Sequence, residues 1–272
     1  MLEKLITSAS NKQIRQVVQL MTKRKERELL KRFVFEGIRM FREAPEGFVE
    51  KVFVSESFWN KCQEKHLFKE SITELVKDDV FHKMSDTKTP QGVLCIAKQP
   101  FYDRELLAKD SKGVYLVLEN IQDPGNLGSI FRTAEAAGVN AIFMTKNTVD
   151  LFNLKTIRAT MGSVYRVPFA YIDSVDEIVN EFHRNEIDTY ATFLGESESY
   201  LDVNYQKGFA LIVGNEGNGL SEQTALLAHK RIIIPMQGKI ESLNAAIATS
   251  IVLYEAVRQR TKLEEGFGRE GI

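Results

Sequence analysis

The sequence predicts an α/β protein: a C-terminal domain built on a mostly parallel sheet with helices on both faces, preceded by a smaller α/β domain. Three observations carry this. The 272 residues exceed one ordinary domain. The second half alternates short, wholly apolar runs with helical stretches, as strands buried on both faces do. A polar, charged segment over 101–112, following Pro100, divides the halves. The expected layout is a domain over 1–100, a linker over 101–112 with one helical turn, a second domain over 113–262 and a flexible tail over 263–272.

In the first half, Ile14, Val17, Val18 and Met21 recur at helical spacing, and Leu29 and Leu30 extend the stripe, so an amphipathic helix is predicted over 12–31. Strands follow at 32–35, 51–55, 72–76 and 93–97, with helices at 37–44 and 57–65 between them. The second half opens on the strand Val114-Tyr-Leu-Val-Leu118 and runs through a turn into a helix over 127–137, which Gly138 stops by adopting a left-handed conformation. Further strands are predicted at 141–145, 167–172, 189–193, 209–213 and 231–235. Helices are predicted at 151–159, 175–185, 222–229 and 244–260.

Composition excludes several function classes. With 43% hydrophobic and 27% charged residues the chain is globular, and its apolar runs fall far short of the ~20 residues that cross a bilayer. The first residues lack a secretory pattern, so a cytoplasmic location is expected. Cys62 and Cys95 read as free core thiols in a reducing compartment, and His66, His82, His183 and His229 are too scattered for a zinc site, so no metal is expected. The net charge of −1 does not mark the whole chain as a nucleic-acid binder. A local basic surface does exist: Lys23, Arg24, Lys25, Arg27, Lys31 and Arg32 crowd against only Glu26 and Glu28. A solvated helix face explains this run equally well.

Ligands of open α/β sheets sit at the carboxyl ends of strands, which singles out three segments. In Asn120-Ile-Gln-Asp-Pro-Gly-Asn-Leu-Gly-Ser-Ile-Phe-Arg132, Pro124 and Gly125 shape a turn, Asn126 is a capping candidate and Arg132 lies about two turns into the helix. An ordinary turn and a surface arginine would look the same. In Val213-Gly-Asn-Glu-Gly-Asn-Gly-Leu220 the glycines at 214, 217 and 219 fit neither the GxGxxG nor the GxxxxGK[ST] pattern, which removes the main support for a dehydrogenase or a nucleotide hydrolase. They still allow a ligand close to the backbone, with Glu216 as an acceptor beside it. In Ile234-Pro-Met236 followed by Ser242-Leu-Asn244, either Ser242 or Asn244 could simply cap the final helix.

Together and in this order the three segments resemble the SpoU (TrmH-like) class of the SPOUT methyltransferases. They match its N-x-G-x-x-x-R signature as Asn126–Arg132, its G-N-E-G-x-G-[LI] signature as Gly214–Leu220, and its I-P-M and S-L-N signatures as Ile234–Met236 and Ser242–Asn244. More loosely, Asn11, Ile14-Arg15, Lys23-Arg24-Lys25, Phe33–Arg39 and Thr89–Val93 resemble an L30e-like substrate-binding domain of ribosomal RNA members.

The resemblance implies a C-terminal trefoil knot, a homodimer joined through the knotted domain, and transfer of a methyl group from S-adenosyl-L-methionine to a ribose 2′-hydroxyl of RNA, with ribosomal RNA favoured over transfer RNA. By position it implies catalytic roles for Asn126, Arg132, Glu216, Ser242 and Asn244. It implies a cofactor pocket from Thr192, Phe193, Gly214, Asn215, Gly219, Ile234, Met236, Ser242 and Leu243, and RNA contacts from Arg15, Lys23, Arg24, Lys25 and Arg39. The family is often described with its motif arginine as general base; a guanidinium is always protonated, so orientation of the hydroxyl through an RNA phosphate fits Arg132 better. The competing readings are a catalytically silent RNA-binding or ribosome-assembly protein, which has no chemical need for Arg132, Glu216, Ser242 and Asn244 together, and a nucleotide-dependent oxidoreductase, which lacks its fingerprint.

Overall fold

A computed structural model describes residues 5–261. The tail expected at 263–272 lies outside the described residues. The described residues form two compact units, one from 5–101 together with 150–165, the other from 102–149 together with 166–261.

The first unit carries strands β1 (Leu5–Ile6), β2 (Arg32–Glu36), β3 (Val49–Ser55), β4 (Thr73–Val76) and β5 (Val93–Lys98). Its helices are α1 (Lys12–Thr22), α2 (Arg24–Leu30), α3 (Ile38–Glu43), α4 (Glu56–Lys61) and α5 (Asp78–Met84). The sheet order is β1-β4-β3-β5-β2, with β5 antiparallel to both neighbours and the other pairs parallel. Its core joins Ile14, Val17 and Leu20 of α1 and Val80, Phe81 and Met84 of α5 to Val34, Phe53, Leu94 and Ile96 of the sheet. Val18, placed by periodicity on the apolar stripe, is exposed.

The single helix expected over 12–31 is broken at Lys23, which is extended at φ −116° and ψ 111°. The cause is Arg27. This residue is buried and its guanidinium donates to the carbonyls of Leu20 and Met21, ending α1 by satisfying the acceptors of its last turn. It also pairs with Asp150 at 2.5 Å, so one cation of the basic run is an internal strut rather than a solvated charge. Cys95 is buried as expected, whereas Cys62 is only half-buried.

The sequence pattern places Asp150–Tyr165 in the C-terminal domain; in the structure this segment packs within the first unit. Aromatic burial accounts for this. Phe152 lies 5.1 Å from the Phe33 ring, and Tyr165 sits about equally far from Phe33, Phe35 and Phe48, at 6.2, 6.2 and 6.3 Å. Such tilted and edge-on pairs add to the area they bury.

The second unit begins with α6 (Arg104–Leu107), β6 (Val114–Leu118), α7 (Pro124–Ala136) and β7 (Ala141–Thr145). After α8 (Leu154–Thr160), which belongs to the first unit, it resumes with β8 (Phe169–Ile172), α9 (Val175–Arg184), β9 (Asp188–Thr192) and β10 (Glu198–Ser199). It ends with β11 (Phe209–Val213), α10 (Glu222–Ala225), β12 (Lys230–Ile233) and α11 (Ala245–Thr261). The order β10-β12-β9-β11-β6-β7-β8 is parallel throughout. β10 was not expected, and the helix predicted over 222–229 stops at Ala225.

Register positions the loops that matter. Val213 pairs with Leu118 and Ile232 with Thr192, so the loops after β6, β11, β9 and β12 leave the sheet side by side at one end. Beneath them Tyr115, Phe143, Phe182 and Ile212 form part of one buried core.

Candidate active site

The loop after β6 enters α7 through Asp123, whose carboxylate accepts from the Asn126 amide N–H at 2.9 Å, with Pro124 opening the helix. Asn126, a capping candidate by sequence, is therefore not the cap. Its side chain is released to bridge loops. Asn126 Nδ2 donates to Glu216 Oε1 at 2.9 Å, and Asn126 Oδ1 accepts from Asn244 Nδ2 at 2.8 Å. Asn244 Oδ1 in turn accepts from the N–H groups of Ala246 and Ile247, so this residue caps α11 and joins the network at once. Ser242 does neither.

Glu216 is the hub. Besides Asn126 it accepts from the backbone N–H of Gln122 and of Asp123, both at 3.0 Å. Partial burial pushes its carboxyl up, but the bonds from Asn126, Gln122 and Asp123 outweigh that and hold it below its ordinary value. It stays a carboxylate in the neutral range. Residues from all three sequence segments thus form one hydrogen-bonded block.

Beside the block lies a cleft enclosing about 880 Å³ of space, part of it open to solvent. Thr192, Phe193, Gly214, Asn215, Gly219, Ile234, Met236, Ser242 and Leu243 all line it. Sequence reasoning missed Leu194, Val213, Glu241, Ala248 and Val252, which line it as well. The small alanine and the valine of α11 carry no motif signal; only their spacing on the helix face could have pointed to them. At Gly214 a Cβ would meet the backbone of Gly219 and Leu220, so glycine is what lets the two limbs of this loop close on each other.

Arg132 is exposed on α7 and belongs neither to the network nor to the cleft lining. Arg15, Lys23, Arg24, Lys25 and Arg39 are all exposed in the first unit, with Arg24 paired to Glu28 at 2.7 Å. Among the described residues no cluster of three or more His, Cys, Asp or Glu side chains is placed to hold a metal ion, and no helix is long and apolar enough to cross a membrane.

The sequence model of the SpoU rRNA Methylase family matches residues 113–254, the stretch holding the whole network and cleft. The chain belongs to that family. A second model, the MRM3-like substrate binding domain, matches residues 11–95. The 23S rRNA (guanosine(2553)-2′-O)-methyltransferase RlmP of Bacillus subtilis is 32% identical over 92% of this chain and 98% of its own length. Among solved structures, the AdoMet-bound rRNA methyltransferase of Sinorhizobium meliloti superposes with a TM-score of 0.82 at 32% identity, covering 94% of this chain and 97% of that one. The SpoU methyltransferase AviRb of Streptomyces viridochromogenes, in complex with AdoMet, gives 0.81 at 26% identity, covering 92% and 98%.

Proposed function

We propose that this SpoU family member transfers the methyl group of S-adenosylmethionine to a ribose 2′-hydroxyl of ribosomal RNA. The observation that carries the reading is the block in which Glu216, Asn126 and Asn244 lock three loops together beside the cleft. The cleft fits the donor: Val213, Ile234, Leu243 and Val252 offer apolar walls to an adenine, and the loops at 192–194, 214–219 and 241–243 bring backbone donors and acceptors to its rim. Thr192, Phe193, Asn215, Gly219, Met236 and Ser242 complete the donor site.

When bound there, S-adenosylmethionine supplies an electrophilic sulfonium methyl. The protein's own residues do the positioning. Arg132 binds the RNA phosphate next to the target and orients the hydroxyl, whose proton leaves to a phosphate oxygen or water, since a guanidinium cannot accept it. Asn126 and Asn244 hold the ribose side of the site, Ser242 faces the substrate, and Glu216 keeps Asn126 in place. Such orientation supplies much of the acceleration that a methyl transfer requires.

Arg15, Lys23, Arg24, Lys25 and Arg39 give sequence-independent affinity through phosphates. A substrate-binding domain over 11–95 favours ribosomal over transfer RNA, and the chain acts in the cytoplasm. The path from β12 through the 234–244 loop to α11, which packs on α7, supports reading this segment as the one that threads a trefoil knot. The first domain takes the L30e-like form. Exposed Ile247 and Tyr254 on α11 form the apolar face that a homodimer through this domain would cover. The test is nucleoside analysis of ribosomal RNA from a strain lacking the protein, after incubation with the purified chain and S-adenosylmethionine. A new 2′-O-methylnucleoside is expected; a base-methylated nucleoside instead would overturn the ribose assignment.

A further inference from the structure

Thr145 stands outside all three motif segments, yet the geometry points to it as the positioning residue on which the cofactor loop hangs. This inference rests on the methyl-donor reading of the cleft. Thr145 closes β7 with its side chain buried, and its hydroxyl makes a reciprocal pair with Asn120: Oγ1 accepts from the Asn120 N–H at 2.9 Å and donates to Asn120 Oδ1 at 3.0 Å. Thr148, fully buried, places its own hydroxyl 3.4 Å behind it.

The pair has a reason to exist, because Asn120 is held in the left-handed region at φ 57°. That conformation is costly for a residue with a Cβ and is tolerated best by Asn and Asp, and here a buried hydroxyl clamps both the amide and the side chain. Its consequence is the direction of the Asn120 carbonyl. This oxygen accepts from Asn215 Nδ2 at 2.9 Å and from Gln122 Nε2 at 3.1 Å. Asn215 then organises the cofactor loop from within: its Oδ1 accepts from the N–H groups of Gly217 and Asn218, and its carbonyl from the N–H of Gly219. The relay runs from a sheet residue, through one strained carbonyl, to the backbone that lines the cleft. Glu216 in the same loop engages the backbone N–H groups of Gln122 and Asp123, and Gln122 Nε2 also donates to the Asn147 carbonyl at 2.9 Å, so the substrate side has an attachment that does not depend on the Asn120 carbonyl alone. Thr145 therefore acts on donor binding rather than on RNA binding.

The experiment compares the unaltered protein with Thr145→Val, which keeps the shape and removes the hydroxyl, and Thr145→Ser, which restores it. Donor affinity is read by calorimetry with S-adenosylmethionine alone, KM for donor and for RNA by methyl transfer, and folding by thermal melting. Losing the clamp leaves the half-buried Asn120 amide without its acceptor and frees the strained residue, so donor Kd and KM are expected to rise about tenfold in Thr145→Val. KM for RNA stays the same and Thr145→Ser returns the donor values to within about twofold of the original. Unchanged donor affinity in a folded Thr145→Val overturns the inference, as does an equal rise in both KM values that serine does not reverse. An unaltered protein that binds no S-adenosylmethionine overturns the proposed function itself, and this inference with it.

Discussion

Asn126→Asp changes one atom type in the central network and reverses its logic. Asn126 Nδ2 donates to Glu216 Oε1 across 2.9 Å, and an aspartate would put a carboxylate oxygen there instead. Two unit charges at that separation repel by about 1.4 kcal/mol at the dielectric of water and about 6 kcal/mol at an effective value near 20. Both residues are reached by solvent, so the lower end governs, and adding the lost hydrogen bond gives about 2 kcal/mol. If the network positions the reacting groups, kcat/KM for methyl transfer falls about 30-fold. The double variant Asn126→Asp with Glu216→Gln replaces the donor–acceptor pair with its mirror, since a glutamine amide can donate to the new aspartate. It recovers part of the loss, and the deficit is not the sum of the single changes. Steady-state kinetics of all four proteins on one RNA tests this. Additive losses, or Asn126→Asp at full activity, would refute a role for the Glu216–Asn126 bond.

The remaining predictions can be checked separately. Glu216 has a folded-state value below its ordinary one, so its contribution is complete above the usual carboxylate range and is lost as pH falls through the depressed value; kcat/KM for methyl transfer stays flat through neutral pH and the Glu216 contribution to it is lost only in acid. Gly214→Ala places a Cβ 2.5 Å from the Gly219 carbonyl oxygen, so calorimetry should show donor binding reduced at least about tenfold in a protein that still folds. Arg27→Met strands the Asp150 carboxylate among buried groups and should cost about 3 kcal/mol in urea unfolding, with the RNA salt slope unchanged. Neutralising Lys23 and Lys25 together should lower RNA affinity for all sequences and reduce that salt slope by about two.

Much of the candidate site is legible in the chain because its loops leave the sheet at strand ends, where apolar runs stop abruptly at polar residues and glycines. Val213-Gly214 and Leu118-Glu119-Asn120 mark those ends without any structure. What periodicity cannot show is partnership across distance. Glu216 reaches an amide 94 residues earlier, and Arg27 finds its carboxylate 123 residues later, so one reads as a turn residue and the other as a surface charge. The Asn126 capping expectation failed because Asp123-Pro124 is the stronger start signal and frees the later amide. Asp150–Tyr165 lies within the stretch the SpoU model matches yet packs with the first unit, which the chain alone does not show: a helix pattern says which face is apolar, never which unit will bury it. Thr145 carries no motif at all, and only the left-handed Asn120 beside it reveals its use.

The most direct test of the account is transfer of a radiolabelled methyl group from S-adenosylmethionine to ribosomal and transfer RNA of a strain lacking the protein, with the unaltered chain and Arg132→Ala side by side. The account predicts label in ribosomal RNA that survives alkali, as a 2′-O-methyl group must, and its loss in Arg132→Ala with donor binding intact. A protein that binds the donor yet labels no RNA, or an Arg132→Ala variant as active as the original, would contradict it.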